Sequence, residues 1–325
     1  MTVATKKGAE IAGRKAPAIT RAMSNTRACT KYKFPTKRDS SINHTGNVSL
    51  NQPATMESIS STAKPAVSRS RWRIHLILIT GYILAMGLLG LGRRGSHTAV
   101  LTQTVGGMLF VCALRLLVFG LVFGLACIAS RATPDDLLLR WQGKLKPVLW
   151  GAGYSVALRL VLAFLIVAIG IGLVATHLMS PDSLKDFFSA NRPGVETLID
   201  VTAMRQNPVY FCLTLTFVSF VVAGLREELW RSAFLAGMKA LWPQRFGSRT
   251  GQIWAVIVCA IFFGLGHLAL GSLAACLAGV VGVGLGLIMV FHGSIWPAVI
   301  AHGFFDATSM AMLPWVMAHT AKSLS

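Results

Sequence analysis

The sequence predicts an all-α protein, a polytopic transmembrane helical bundle of about seven spans, or eight. Three observations lead there. Of the 325 residues, 54% are hydrophobic and only 13% are charged, about half the charged share of an ordinary soluble protein. Several apolar runs reach or pass 18 residues, and roughly 20 are needed for a helix to cross about 30 Å of hydrocarbon. Charge is unevenly placed as well. Of the formal +19, residues 1–73 hold +11, from 14 Lys/Arg against Glu10, Asp39 and Glu57.

Residues 1–72 are rich in Ser, Thr, Ala, Lys and Arg and have no apolar period. They cannot bury enough surface to offset chain entropy, so a disordered basic tail is expected. The Arg-rich, acid-poor stretch also resembles an organelle transit peptide, and Met56 offers an alternative start. No aromatic–basic interleaving accompanies the charge, so the tail reads as a cytoplasmic flank that sets topology, not as a nucleic-acid surface.

The first span runs from Ile74 to Leu91 and ends at Arg93 and Arg94. The second, Gly107–Ala129, contains Arg115. A polar link with Asp135 and Asp136 leads to a third apolar run, Val148–Met179, which carries Arg159 and is long enough to require tilt. Residues 180–207 hold Asp182, Asp186, Glu196 and Asp200, four of the twelve acids, and fit a surface loop or interfacial helix. Residues 73–207 thus form an N-terminal set of membrane helices with polar links.

Pro208 opens the next helix, which runs to about Leu241 before Pro243 stops it. As a straight α-helix those residues would measure about 50 Å, so this element must bend or leave the bilayer. Three further spans are expected at Gln252–Gly271, Leu273–Phe291 and Ile295–Met317. Lys and Arg counts place the tail, the second link and the fourth link inside, although Arg93, Arg94, Lys185, Arg192 and Arg205 weaken the alternation. Ala275, Gly279, Gly282 and Gly286 form a small-residue seam of the kind that lets helices approach closely. Cys29, Cys112, Cys127, Cys212, Cys259 and Cys276 show no C-x-x-C spacing, so neither a disulfide framework nor a zinc site is expected.

The chemistry concentrates in the last third. Glu227 and Glu228 are adjacent acids inside the run Phe220–Gly237. Ionisable groups at membrane depth are costly and mark function by default. Arg231 lies four residues after Glu227 and three after Glu228, so it can pair with either, and Arg226 adds a second cation. One carboxylate neutralised by arginine would leave the other to act as a general base. The opposing reading is a buried Glu–Arg cluster that ties helices together. His267 follows Phe263 by one turn, and His302 and Asp306 share a face on the last span. Each would suit either polar packing or a site.

Taken together, Glu227-Glu228-Leu-Trp-Arg231, then Phe263/His267, then His302/Asp306, with Gly293-Ser-Ile-Trp-Pro297 leading into the last, resembles the CAAX protease and bacteriocin-processing family. These are intramembrane proteases that include the type II CAAX prenyl endopeptidases. The resemblance covers residues 208–312, within an expected catalytic membrane domain, 208–318. It implies an intramembrane endopeptidase that hydrolyses a membrane-associated peptide, lipidated or not, without a cofactor or obligatory metal. Glu227, helped by His267, would activate water. His302 and Asp306 would hold the oxyanion, and Glu228 and Arg231 would organise the site. This chain reads E-E-x-x-R where the family usually has E-E-x-x-x-R, and Asp306 where it usually has asparagine. The choice of base between Glu227 and Glu228 therefore stays open. So does the role of Asp306, since an ionised carboxylate would repel an oxyanion.

Other readings are a non-catalytic membrane scaffold or escort of the same fold, a proton-coupled transporter, and a zinc site using Glu227, His267 and His302. H-E-x-x-H is absent, and no repeat relates the two halves. The expected partners are a membrane-embedded or lipidated substrate and the lipid bilayer, with no nucleic acid. The expected location is multi-pass in the plasma membrane of a bacterium, with the tail in the cytoplasm.

Overall fold

A computed structural model describes residues 68–92 and 99–323. Most of the expected basic tail, and Arg93 and Arg94 at the expected end of the first span, lie outside the described residues. Every regular element among the described residues is helical.

Helix α1 spans Arg69–Leu91 and begins five residues before the expected Ile74. The Ser68 hydroxyl accepts from the Ser70 N–H, and Trp72 is already buried, so capping and packing extend the helix upstream. Helix α2 is Val105–Ser130 and α3 is Lys146–Ala175. The third apolar run therefore stops short of Met179, because His177 takes a left-handed conformation with φ 56°. The region 180–207 contains α4 (Pro181–Ala190) and α5 (Val201–Gln206) around a short 3-10 turn.

The long helix from Pro208 to Leu241 is continuous but not uniform. It runs as α6 (Pro208–Leu213), a π-helical segment (Thr214–Leu225) and α7 (Arg226–Leu241). The Ser219 hydroxyl donates to the Thr214 carbonyl at 2.9 Å, a five-residue step that suits the wider coil. A π-segment puts more residues into each turn, and such segments concentrate at functional sites. Helices α8 (Pro243–Phe246), α9 (Arg249–Gly266), α10 (Ser272–His292) and α11 (Trp296–Ser323) follow.

Six helices are long and apolar enough to cross a membrane: α1, α2, α3, the composite Pro208–Leu241, α9 and α10. The seventh expected span, α11, has the length, at 28 residues, but is not among the six. Its polar residues, including His302, Asp306, Thr308 and Ser309, lower its hydropathy. Apolar side chains such as Ile77, Phe110, Ile128 and Phe164 stand more than two-thirds exposed, as expected of surfaces that face lipid.

Specific polar contacts lock the bundle. His75 of α1 is fully buried, with Nε2 3.0 Å from the Ala233 carbonyl of α7 and Nδ1 3.0 Å from the Ser130 hydroxyl of α2. The Trp230 indole donates to the Ile79 carbonyl at 2.8 Å. The polar link after α2 is knit into the core. Its Leu137 carbonyl accepts from the Ser232 hydroxyl, Leu138 from the Ile295 N–H, and Leu139 from the Trp296 indole. These bonds fix where α11 starts. The small-residue seam of α10 packs on α9, with Gly282 against Phe263 and Gly286 against Val256.

Candidate active site

Helices α7, α9 and α11 bring the expected residues together, each by a local cause. Gly224, at the end of the π-segment, lies where a Cβ would stand 3.1 Å from the Val299 carbonyl of α11. Gly303 of α11 faces the Phe220 ring so closely that a Cβ there would overlap it. Two hydrogen side chains thus let the π-segment and α11 touch, which carries Glu227 and Glu228 up to His302.

The two glutamates then part ways. Glu228 is fully buried and forms an ion pair with Arg231, whose side chain is also fully buried. Of the two spacings open in the sequence, the three-residue one is realised. Glu227 is 15% exposed and pairs with Arg226 at 2.7 Å. It lines a cavity of about 560 Å³ together with Arg226, His267, Tyr82 and Arg115. Glu228, Arg231 and His302 are not among the residues lining it.

His302 links the two acids. Its Nδ1 donates to Glu228 Oε1 at 2.9 Å, while Nε2 lies 3.7 Å from Glu227 Oε2 and 3.6 Å from Asp306 Oδ2. The last two distances are too long for direct hydrogen bonds. Asp306 is the most exposed of these side chains, at 26%.

His267 sits at the C-terminal cap of α9, not inside a helix that continues to Gly271, because Leu268–Leu270 tighten into a 3-10 turn. Its Nδ1 lies 2.8 Å from the Phe263 carbonyl. A carbonyl can only accept, so Nδ1 carries hydrogen and the neutral ring keeps Nε2 as an acceptor. Phe263 lies among the members of the cluster. The Arg231 guanidinium lies 4.7 Å over its ring, the His267 ring is 4.5 Å away and the His302 ring 6.4 Å away. The phenylalanine of F-x-x-x-H is therefore the apolar spacer that sets two imidazoles and an arginine around one point.

The cavity draws on parts of the chain without a recognisable motif. Tyr82, Ile83 and Met86 of α1, Arg115 of α2, and Val100, Thr197 and Leu198 complete its wall. Val100 and Leu101 donate their N–H groups to the Thr197 and Leu198 carbonyls, which closes that wall by backbone pairing. The only sequence signal for this contribution was an arginine inside an apolar run. No three His, Cys, Asp or Glu residues among the described residues are grouped so as to hold a metal ion.

Glu227, His267, Arg115 and Arg226 at the cavity, with His302 linking Glu227 to the buried Glu228–Arg231 pair behind it, are groups that can move protons and polarise a carbonyl. Over residues 208–308 the chain matches the family model for Rce1-like type II CAAX prenyl endopeptidases, the CAAX protease family that its three motifs resemble. No curated protein and no solved structure matches the chain.

Proposed function

With residues 208–308 matching the Rce1-like type II CAAX prenyl endopeptidase family, we propose that this integral membrane protein is an endopeptidase using glutamate-activated water. The observation that carries the reading is the division of labour between the acids. Glu227 opens onto the cavity with His267, whereas Glu228 is sealed behind it with Arg231.

In the proposed reaction a water lies between Glu227 and the free Nε2 of His267 and loses a proton to them as its oxygen attacks the peptide carbonyl carbon. The C=O π bond breaks and its electron pair becomes the oxyanion. His302, with hydrogen on both nitrogens, gives Nδ1–H to Glu228 and directs Nε2–H to that oxyanion. Collapse of the tetrahedral intermediate re-forms C=O and breaks the C–N bond. The proton held by Glu227 and His267 passes to the leaving amine. Asp306 orients His302 and does not meet the oxyanion, which would avoid repulsion between like charges. Arg226 holds Glu227 in place, and Arg231 fixes Glu228.

The substrate is proposed to be a membrane-associated, lipidated peptide. The cavity suits one, combining apolar Ile83, Met86, Leu89 and Leu270 with polar Arg115, Arg226, Glu227 and His267. The same reading makes 208–318 the catalytic unit and places it in a bacterial plasma membrane, with the basic tail cytoplasmic.

The test is cleavage of a fluorogenic membrane peptide by purified protein in vesicles. Glu227→Gln should abolish turnover at unchanged expression, and retained turnover would remove Glu227 as the base.

A further inference from the structure

We propose that Arg159 is a positioning residue that holds the turn of α11 between His302 and Asp306. Its activity readout rests on the proteolytic reading above, but its structural readout does not. Helix α3 is otherwise largely lipid-facing, with Leu160, Phe164 and Val167 more than half exposed. A charged side chain there must find partners inside the bundle. Arg159 does so by reaching onto α11. Nη1 donates to the Ser155 carbonyl at 3.0 Å and to its hydroxyl at 2.6 Å, which aims the fork. Nη2 donates to the Phe304 carbonyl at 3.2 Å and also meets the Phe305 carbonyl and the Thr308 hydroxyl. The guanidinium carbon stands 4.5 Å over the Phe305 ring.

The location of these contacts gives them meaning. The Phe304 and Phe305 carbonyls belong to the peptide groups between His302 and Asp306, and the Phe305 carbonyl lies in the peptide bond to Asp306 itself. Phe304 in turn packs edge-on against Phe220 of the π-segment, with ring centroids 5.1 Å apart. Arg159 therefore braces, from the lipid side, the same turn that Gly303 presses onto the glutamate-bearing helix. The planar fork serves two places at once, Nη1 on Ser155 of α3 and Nη2 on the α11 turn, a split that the single nitrogen of a lysine ammonium cannot reproduce.

The experiment compares the full chain in nanodiscs with Arg159→Lys, Arg159→Met and the lipid-facing control Val167→Ala. Hydrogen exchange of residues 298–310 is measured alongside cleavage kinetics. Arg159→Met should raise exchange of amides 304–309 by about tenfold or more, with other helices unchanged. It should lower kcat by about 10²-fold with little change in KM. Arg159→Lys should restore less than half of either loss, and Val167→Ala should match wild type. Wild-type exchange in the turn of Arg159→Met would overturn the proposal. If that variant fails to fold, wild-type exchange in Arg159→Lys would overturn it instead. Should wild type itself cleave nothing, the proteolytic reading falls while the exchange measurement still decides the role of Arg159.

Discussion

His302 directs Nδ1 to Glu228 at 2.9 Å and faces Glu227 with Nε2 at 3.7 Å, so one imidazole separates the sealed acid from the one that meets the cavity. Adjacent glutamates on one helix thereby acquire different environments. One is tied to a buried arginine and a histidine, the other to a partly exposed arginine and open volume.

That difference predicts opposite ranking in stability and activity. Glu228→Gln leaves the fully buried Arg231 without its counter-ion, and breaking a buried pair typically costs about 3–5 kcal/mol. Its thermal unfolding midpoint in detergent should fall well below wild type. Glu227→Gln, next to the cavity, should melt near wild type while losing turnover. A reversed order would assign Glu227 the structural role.

Close contact between the π-segment and α11 predicts that Gly303→Ala is disruptive despite adding one methyl. Overpacking of this kind costs about 1–3 kcal/mol, and the displacement would fall on His302. Cleavage should drop at least about tenfold, since small misplacements are costly to catalysis. Phe220→Ala, which clears the space beside residue 303, should recover part of the loss in the double variant. Equal activity of Gly303→Ala and wild type would show that the contact does not position the site.

His75 predicts a stability effect with little effect on chemistry. Its ring nitrogens join α1, α2 and α7 from a fully buried position. His75→Ala removes those bonds and opens a void, with an expected loss of about 2–4 kcal/mol. Denaturation in mixed micelles would measure it. Turnover per folded molecule should stay within about threefold of wild type, because the groups it bonds, the Ala126 and Ala233 carbonyls and the Ser130 hydroxyl, are assigned no catalytic role.

The absence of H-E-x-x-H, and of any metal-holding group of acids and imidazoles among the described residues, predicts insensitivity to chelators. Turnover should be unchanged by EDTA or phenanthroline, and elemental analysis of active protein should find only substoichiometric zinc. Stoichiometric zinc that is lost together with activity would contradict the mechanism.

Composition and the length of apolar runs were enough to determine an all-helical membrane protein, because the hydrocarbon layer imposes one length and one polarity on any segment that crosses it. Three short motifs were likewise legible, since ionisable residues stand out against an apolar background. Helix ends were less so. The arrest of α3 at Ala175 and the 3-10 turn after His267 depend on backbone conformations that apolar runs do not encode. The π-segment was hidden for the same reason, as hydropathy is blind to whether a turn closes at four residues or five.

Only tertiary structure decided which glutamate faces the cavity, which arginine pairs with which acid, and that α1 and α2 wall the site. Those outcomes depend on the rotation of one helix about its axis and on close contacts at Gly224 and Gly303. Residues about 80 positions apart in the chain meet there, and linear spacing carries no information about that.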